Sequence, residues 1–421
     1  MKILYISQYF PPEMGAPAAR ASELSKCWAG AGHDVTVLTG FPNHPTGVVR
    51  AEYRAKLRRL VFRERIGGAN VVRTWLLPFP NRKAYERMLN YASFCVSAAS
   101  TGLFLSRPDV VIGSSPQLLV AVAACFLARC KRAPFVFEVR DLWPESLAAV
   151  GVGDTDSLLH RALGRIAGFL YRQADRVVVV TSAFEDYLVG HWHVPREKIS
   201  VVENGVETQL FSPLEGRDLK RSLGIEDKFV VSYIGTMGMA HRLETILEAA
   251  ASLQHTNPDI IFLLIGEGAE KARIVALAKE RDLGNIQFLD QQPRDKIPGY
   301  IAASDACLVL LKKTDIFKTV IPTKMLEFMS CARPVILGVE GQAQNILREA
   351  RAGIAIEPES ASELVTAISR LKSNPEKCRE FGESGREYIL RKFSRQRTAE
   401  KYIRELERMI EPVGAVSDTA A

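Results

Sequence analysis

Twelve short apolar runs, rich in β-branched residues and separated by helical patterns from one end to the other, constrain this chain more than any other feature of it. In the first half they are Ile3 to Ile6, Val35 to Leu38, Val110 to Ile112, Phe135 to Val139, Val177 to Val180 and Ser200 to Val202. In the second half they are Phe229 to Ile234, Ile260 to Ile265, Ile286 to Leu289, Ala306 to Leu311, Pro334 to Leu337 and Ile354 to Ile356. Strand patterns alternating with helices predict parallel sheets joined by crossover helices. Each half has enough strands for its own doubly wound sheet. The expected fold class is therefore α/β, with two Rossmann-like domains facing each other across a cleft. A length of 421 residues, 47% hydrophobic and 24% charged, is too long for one core and suits two.

The pattern breaks after Asn204-Gly205-Val206, where Glu207 to Lys228 holds Pro213, Gly216 and Gly224 and shows little strand character. The expected domains are 1–205 and 206–390. Residues 391–421 add a C-terminal helix, with Tyr402, Leu406 and Ile410 at helical spacing, that packs back on the first domain and ends in a disordered tail. The seven cysteines are spread without a CxxC pair and read as buried thiols in a reducing compartment. MKILYIS runs straight into a loop without the regions of a secretory signal, which predicts a cytoplasmic location.

The net charge of +7 is localised. Between Arg50 and Arg87 eleven Lys/Arg stand against three Glu, a balance of +8, so one region carries the whole excess. Directly after it, Met88 to Leu105 reads MLNYASFCVSAASTGLFL without a charge. Three readings are open: a buried core helix, a monotopic membrane-inserted helix, or a membrane span at the lower limit of length. The polar residues Asn90, Ser93, Ser97, Ser100 and Thr101 weigh against the span. The basic stretch itself is either a solvated face or a contact with an anionic inner leaflet. Nucleic acid is not an expected partner, because interleaved aromatics and a known motif are missing.

Several strand-end loops have the composition of an anion site. After the first strand, Gly15 and small residues open a helix whose N-terminus suits a phosphate, with Arg20 as a charged donor. A plain strand-to-helix turn explains the same residues, and the loop is not a GxGxxG. In the second half Gly235 and Gly238 precede His241 and Arg242 at a helix start, a second candidate. Ile321 to Glu327 opens a further helix. Lys324 there can meet a diphosphate and Glu327 can accept both hydroxyls of a ribose, although an exposed i,i+3 ion pair accounts equally well for the two. Gly266, Gly268 and Gln291 follow strands and suit a base pocket, while Gly341, Gln342 and Ala343 can present backbone N–H groups to sugar hydroxyls. Arg140 and Asp141, in the stretch Glu138 to Glu145, place charge at a strand end, which fits a cleft better than a core. Asp154-Thr155-Asp156 reads as a helix cap rather than a metal-binding DxD, and His191 and His193 lack a third ligand nearby, so no metal and no cofactor are expected.

With these residues on the page, the chain resembles the family 4 retaining glycosyltransferases of GT-B fold over nearly its full length. Val202 to Glu207 is similar to the family's NGVD hinge segment. Phe41 to Gly47 together with Asp141 to Glu145 resembles the subgroup that builds bacterial surface polysaccharides, including transferases of N-acetyl-fucosamine-type sugars. The resemblance implies that Glu327 is the second glutamate of an E-x7-E motif and holds the ribose. The first glutamate's position is Thr319, the family's diphosphate-gripping Arg and Lys fall at Thr236 and His241, and its histidine falls at Arg140. Lys324, with Arg242 or Arg20, is left to supply the missing charge, and Asp141 and Arg140 become the catalytic candidates of the first domain.

The expected activity is transfer of a sugar, with retention and without metal, from a nucleotide-diphosphate donor to a lipid-linked saccharide in O-antigen or capsule assembly. The expected donor is a UDP-sugar, with guanosine the alternative to uridine. The acceptor is a polyprenyl-diphosphate-linked saccharide, met at the inner leaflet through residues 50–105. Two rival readings stand beside it: a nucleotide-sugar 2-epimerase or hydrolase of the same fold, and a non-catalytic nucleotide-sugar-binding protein.

Overall fold

A computed structural model describes residues 1–13, 15–44, 47–79, 84–145 and 158–410. The chain divides into two compact units, Asn204–Ser394 and a first unit built from Met1–Glu203 with the returning C-terminal segment.

The first unit holds eight strands: β1 (Lys2–Ile6), β2 (Asp34–Gly40), β3 (Val61–Ile66), β4 (Ala69–Thr74), β5 (Val110–Ser114), β6 (Phe135–Val139), β7 (Arg176–Val179) and β8 (Ile199–Val201). They lie in the order β3-β4-β2-β1-β5-β6-β7-β8, parallel except for the β3–β4 hairpin. The six strands expected here are present. The hairpin was not foreseen, because β3 reads Val-Phe-Arg-Glu-Arg-Ile and looks like charged surface. Its arginines follow from its place as an edge strand, half solvated, where charge blunts edge-to-edge pairing. Four helices precede β6: α1 (Ala16–Gly30), the short α2 (Ala51–Arg54), α3 (Ala84–Leu103) and α4 (Leu118–Lys131). The last helix, Arg395–Ile410, packs on α1. The Trp28 and Tyr402 rings meet edge to face with centroids 5.2 Å apart, and the Trp28 indole donates to the Ala399 carbonyl at 3.2 Å.

The second unit is a six-stranded, fully parallel sheet of β9 (Phe229–Ile234), β10 (Ile260–Ile265), β11 (Ile286–Leu289), β12 (Ala306–Leu310), β13 (Val335–Gly338) and β14 (Gly353–Ala355). Its order is β11-β10-β9-β12-β13-β14. β10 reads Ile-Ile-Phe-Leu-Leu-Ile and β12 Ala-Cys-Leu-Val-Leu, continuous apolar runs that suit strands covered on both faces by helices. Strand order reverses between β9 and β12, and loops diverging from such a point leave a crevice at the carboxyl ends.

Of the cysteines, Cys125, Cys307 and Cys331 are buried, whereas Cys130 is exposed.

Candidate functional site

The crevice at the β9/β12 switch of the second unit brings together Lys324, Glu327 and His241 with the glycines Gly235, Gly238, Gly266 and Gly268. β9 ends in Tyr233 and Ile234, and Gly235 turns the chain at a φ of 146°. The loops after β9 and β10 zip together: the Gly235 amide donates to the Ile265 carbonyl at 2.9 Å, and the Met237 amide to the Glu267 carbonyl at 2.9 Å. Gly266 and Gly268 are what allow this approach. A Cβ on Gly266 would lie 2.0 Å from the Gly235 carbonyl oxygen, and one on Gly268 2.3 Å from that of Met237. These glycines therefore shape the crevice floor through backbone packing.

Thr323–Ser330 forms the helix that enters the crevice, with Pro322 in the capping position where its fixed φ suits a helix start. Lys324, in its first turn, lays its Nζ 4.0 Å from the centroid of the Tyr233 ring. A Cβ on Gly235 would stand 3.3 Å from that nitrogen, so the glycine leaves the space beside the amine open. The Nζ is shielded from solvent and has no hydrogen-bond partner among the described residues. Burial without a counter-ion pushes the amine down to about 7, against a weaker upward pull from Glu327.

Glu327, one turn further on, does not form the i,i+3 ion pair with Lys324. Its carboxylate accepts from Arg294 at 3.0 Å, and Arg294 in turn stacks its guanidinium 4.9 Å from the Phe211 centroid. His241 sits beside the amine. Its Nδ1 is 3.2 Å from the Leu310 carbonyl, and its ring meets Tyr233 edge to face at 5.8 Å. Burial and the Lys324 charge together push the imidazole down to about 3, so it is neutral and available only as a hydrogen-bonding group.

Other predicted residues lie apart from this cluster. Arg242 is exposed and ion-paired with Glu359 at 3.4 Å and Glu244 at 3.6 Å, which turns its charge to the surface. Gly238, by contrast, belongs with the cluster: it caps the 3-10 turn Met239–His241, and a Cβ on it would stand 3.9 Å from the His241 ring. Gln291 is exposed on the loop after β11. Gly341 caps the helix Gln342–Ala350 at a φ of 74°, with Gln342 half-buried and the Ala343 methyl in the core.

In the first unit Gly15 caps α1 and is exposed with its amide end free of side-chain caps. Arg20 does not reach for a ligand. It is 1% exposed and bonds Glu138 at 3.0 Å, with further bonds to the Val202 and Glu203 carbonyls at 3.2 and 3.1 Å. The expected phosphate donor is thus a buried tie between α1, β6 and the end of β8. Glu138 is equally committed, accepting from Tyr5 at 2.7 Å and Ser114 at 2.5 Å. Arg140 follows on the same strand end, its amide donating to Ser115 at 2.8 Å. Asp141 keeps solvent access, yet surrounding protein atoms push its carboxyl up to about 6 against the pull of Arg140. Asp154 and Asp156 lie outside the described residues.

Sequence reasoning missed Arg294 and Tyr233. Arg294 follows the strand-end loop Asp290 to Pro293, and that position was its only signal; pairing with Glu327 joins residues 33 apart in sequence. Tyr233 reads as one more apolar strand residue.

The family described as "Glycosyl transferases group 1" matches residues 216–388, and "Glycosyl transferase 4-like domain" matches residues 15–205. Between them they reach into both units: the second is similar to the group 1 glycosyltransferases, the first to the 4-like glycosyltransferase domain, and the fold is GT-B. It is 27% identical over 412 residues to the putative colanic acid biosynthesis glycosyl transferase WcaI of Escherichia coli K12, covering 93% of this chain and 98% of that one. Among solved structures it resembles sucrose-phosphate synthase from Thermosynechococcus elongatus, with a TM-score of 0.75 at 20% identity over 97% of this chain and 98% of that one. It also resembles Anabaena HepE in complex with UDP-glucose (0.72 at 16%, covering 97% and 100%) and WaaG, a glycosyltransferase involved in lipopolysaccharide biosynthesis (0.69 at 15%, covering 97% and 99%).

Proposed function

We propose that this chain transfers a hexose-type sugar from a UDP-sugar to a lipid-linked saccharide in bacterial surface-polysaccharide assembly, with retention of configuration and without a metal ion. The observation that carries the reading is the shielded Lys324 amine, partnerless among the described residues, at the β9/β12 switch of the second unit. Glycosyl transfer builds negative charge on the departing diphosphate as the sugar becomes oxocarbenium-like, so a fixed cation at the leaving group is where a protein contributes most. A diphosphate beside Lys324 would supply the counter-ion that the amine lacks. Glu327, oriented by Arg294, then holds the ribose hydroxyls, and Gly235 and Gly238 let the phosphates approach backbone amides.

In this reading the bond between the sugar carbon and the leaving oxygen breaks as the acceptor oxygen bonds the same face. The acceptor's hydroxyl proton passes to the departing phosphate oxygen. Asp141 and Arg140 of the first unit are the catalytic candidates that the family resemblance implies. The likeness to a putative colanic acid transferase supports the polysaccharide setting, and the HepE complex with UDP-glucose supports UDP as the donor's nucleotide. The basic and apolar region 50–105 supports a lipid-borne acceptor at an inner-leaflet surface. Turnover of UDP-sugars with polyprenyl-diphosphate-linked saccharides tests the proposal. An inverted anomer, or binding of donor with neither transfer nor hydrolysis, would sink it.

A further inference from the structure

α3 carries hydrocarbon on two faces, one buried at Phe94 and Ala98 and one exposed at Leu89, Val96 and Leu103. A helix on a water-soluble domain buries its apolar stripe and solvates its polar one. Here Asn90, Ser93, Ser97 and Thr101 turn inward beside the fully buried Phe94 and Ala98 and are satisfied by protein, while Ser100 stays exposed and bonds the Val96 carbonyl of its own helix. Asn90 is 2% exposed, donates to the Leu77 carbonyl at 2.7 Å and accepts from Gln8 at 2.5 Å. The Ser93 hydroxyl accepts from the Leu77 amide at 2.9 Å, Ser97 donates to the Trp75 carbonyl, and Thr101 meets the Thr74 hydroxyl at 2.8 Å. The outward stripe is hydrocarbon: Leu89, Val96 and Leu103, seven residues apart, are 46%, 67% and 45% exposed, and Phe104 just beyond is 87% exposed. Trp75, 38% exposed, and Leu60, 63% exposed, continue this surface across a groove of about 820 Å³ between α3 and the β3–β4 region.

Arginines border the apolar surface. Arg63 lines the groove, and Arg58 and Arg59, next in sequence to its Leu60, are exposed. An exposed apolar face of this kind marks a contact surface. The border decides between partners. In a two-fold dimer the same patch meets itself, which would bring arginines against arginines. An anionic lipid surface complements them, and hydrocarbon beneath the headgroups complements the stripe. Among the described residues no helix is long and apolar enough to cross a membrane, so the geometry is that of a helix lying in the interface.

We propose that α3 and the β3–β4 hairpin form an insertion face for a bilayer leaflet containing anionic phospholipid, with Val96, Phe104 and Trp75 entering the acyl boundary and the arginines holding the headgroups. This rests on the reading of the acceptor as lipid-borne and names the surface that brings the enzyme to it.

The test uses the full chain with vesicles of phosphatidylglycerol and phosphatidylethanolamine, or of phosphatidylcholine alone. Wild-type protein is expected to sediment with the anionic vesicles at least about tenfold more than with the neutral ones. Its tryptophan emission should shift to the blue on binding, and lipid-borne quenchers should lose their effect in Trp75→Phe. The double variant Val96→Asp/Phe104→Asp should lose the vesicles while melting temperature and UDP binding stay unchanged. Equal sedimentation of that variant, equal binding to both vesicle types, or a wild-type dimer that the variant breaks without any change in vesicle binding would each overturn the insertion face. UDP binding is read separately on the same samples: its absence would count against the donor reading and leave the vesicle result to decide the insertion face.

Discussion

Arg294 holds the carboxylate of Glu327 at 3.0 Å, and so the residue one turn earlier on that helix, Lys324, carries the amine of the crevice with no acceptor among the described residues. The pairing orients the Glu327 carboxylate for hydroxyls and leaves the lysine for an incoming anion.

Replacing Lys324 by Met should preserve the fold and lower kcat/KM by about 10²- to 10³-fold, the loss seen when one preorganised donor to a developing charge is removed. Steady-state kinetics with the preferred UDP-sugar, beside a thermal melt, decides it; a variant within threefold of wild type would remove Lys324 from the leaving-group site.

Stability in the absence of nucleotide should rise with pH. Folded Lys324 sits at about 7 and an unfolded lysine near 10.4, so between these values the unfolded chain holds more protons and alkalinity favours the folded one. The burial penalty is fully present below pH 7 and gone above about 10. Urea midpoints between pH 6.5 and 9.5 should increase for wild type and increase less for Lys324→Met. Saturating UDP, by supplying the counter-ion, should flatten the wild-type slope.

Arg294→Ala should raise the KM for donor more than it lowers kcat, because Glu327 would lose its orienting partner without leaving the site. Lysine at position 294 should restore only part of the loss, since an ammonium cannot stack on Phe211 as the guanidinium does. Equal kinetics for all three proteins would separate the ion pair from ribose binding.

Arg20→Met, by contrast, should act on stability. It strands Glu138 in a fully buried site, and breaking a buried pair costs about 3–5 kcal/mol. A large drop in melting temperature is expected, with UDP binding intact below the transition. Loss of UDP affinity in still-folded protein would restore Arg20 to the donor site.

Much of this molecule is written in local pattern. The apolar runs of both sheets, the helix from Thr323 with Pro322 before it and the helix Arg395–Ile410 follow from periodicity and capping, which depend on neighbours a few residues away. Motif order within the same chain was enough to find the glycosyltransferase resemblance. What a side chain does once the helix is formed depends on residues far along the chain, and only the tertiary structure decided that. Arg20 and Arg242 carry the same charge, yet one is buried against Glu138 and the other paired at the surface with Glu359. Lys324 and Glu327 are spaced for an ion pair, but Arg294, brought in from the loop after β11, takes the carboxylate first. Ser93, Ser97 and Thr101 of α3 read as interruptions in an apolar segment; bonded to the end of β4 and the segment after it, they join Phe94 and Ala98 on the inner face and leave Leu89, Val96 and Leu103 outward. Sequence determined that α3 is a helix; which of its faces meets the protein was settled by the hydrogen-bonding groups at the end of β4 and the segment just beyond it.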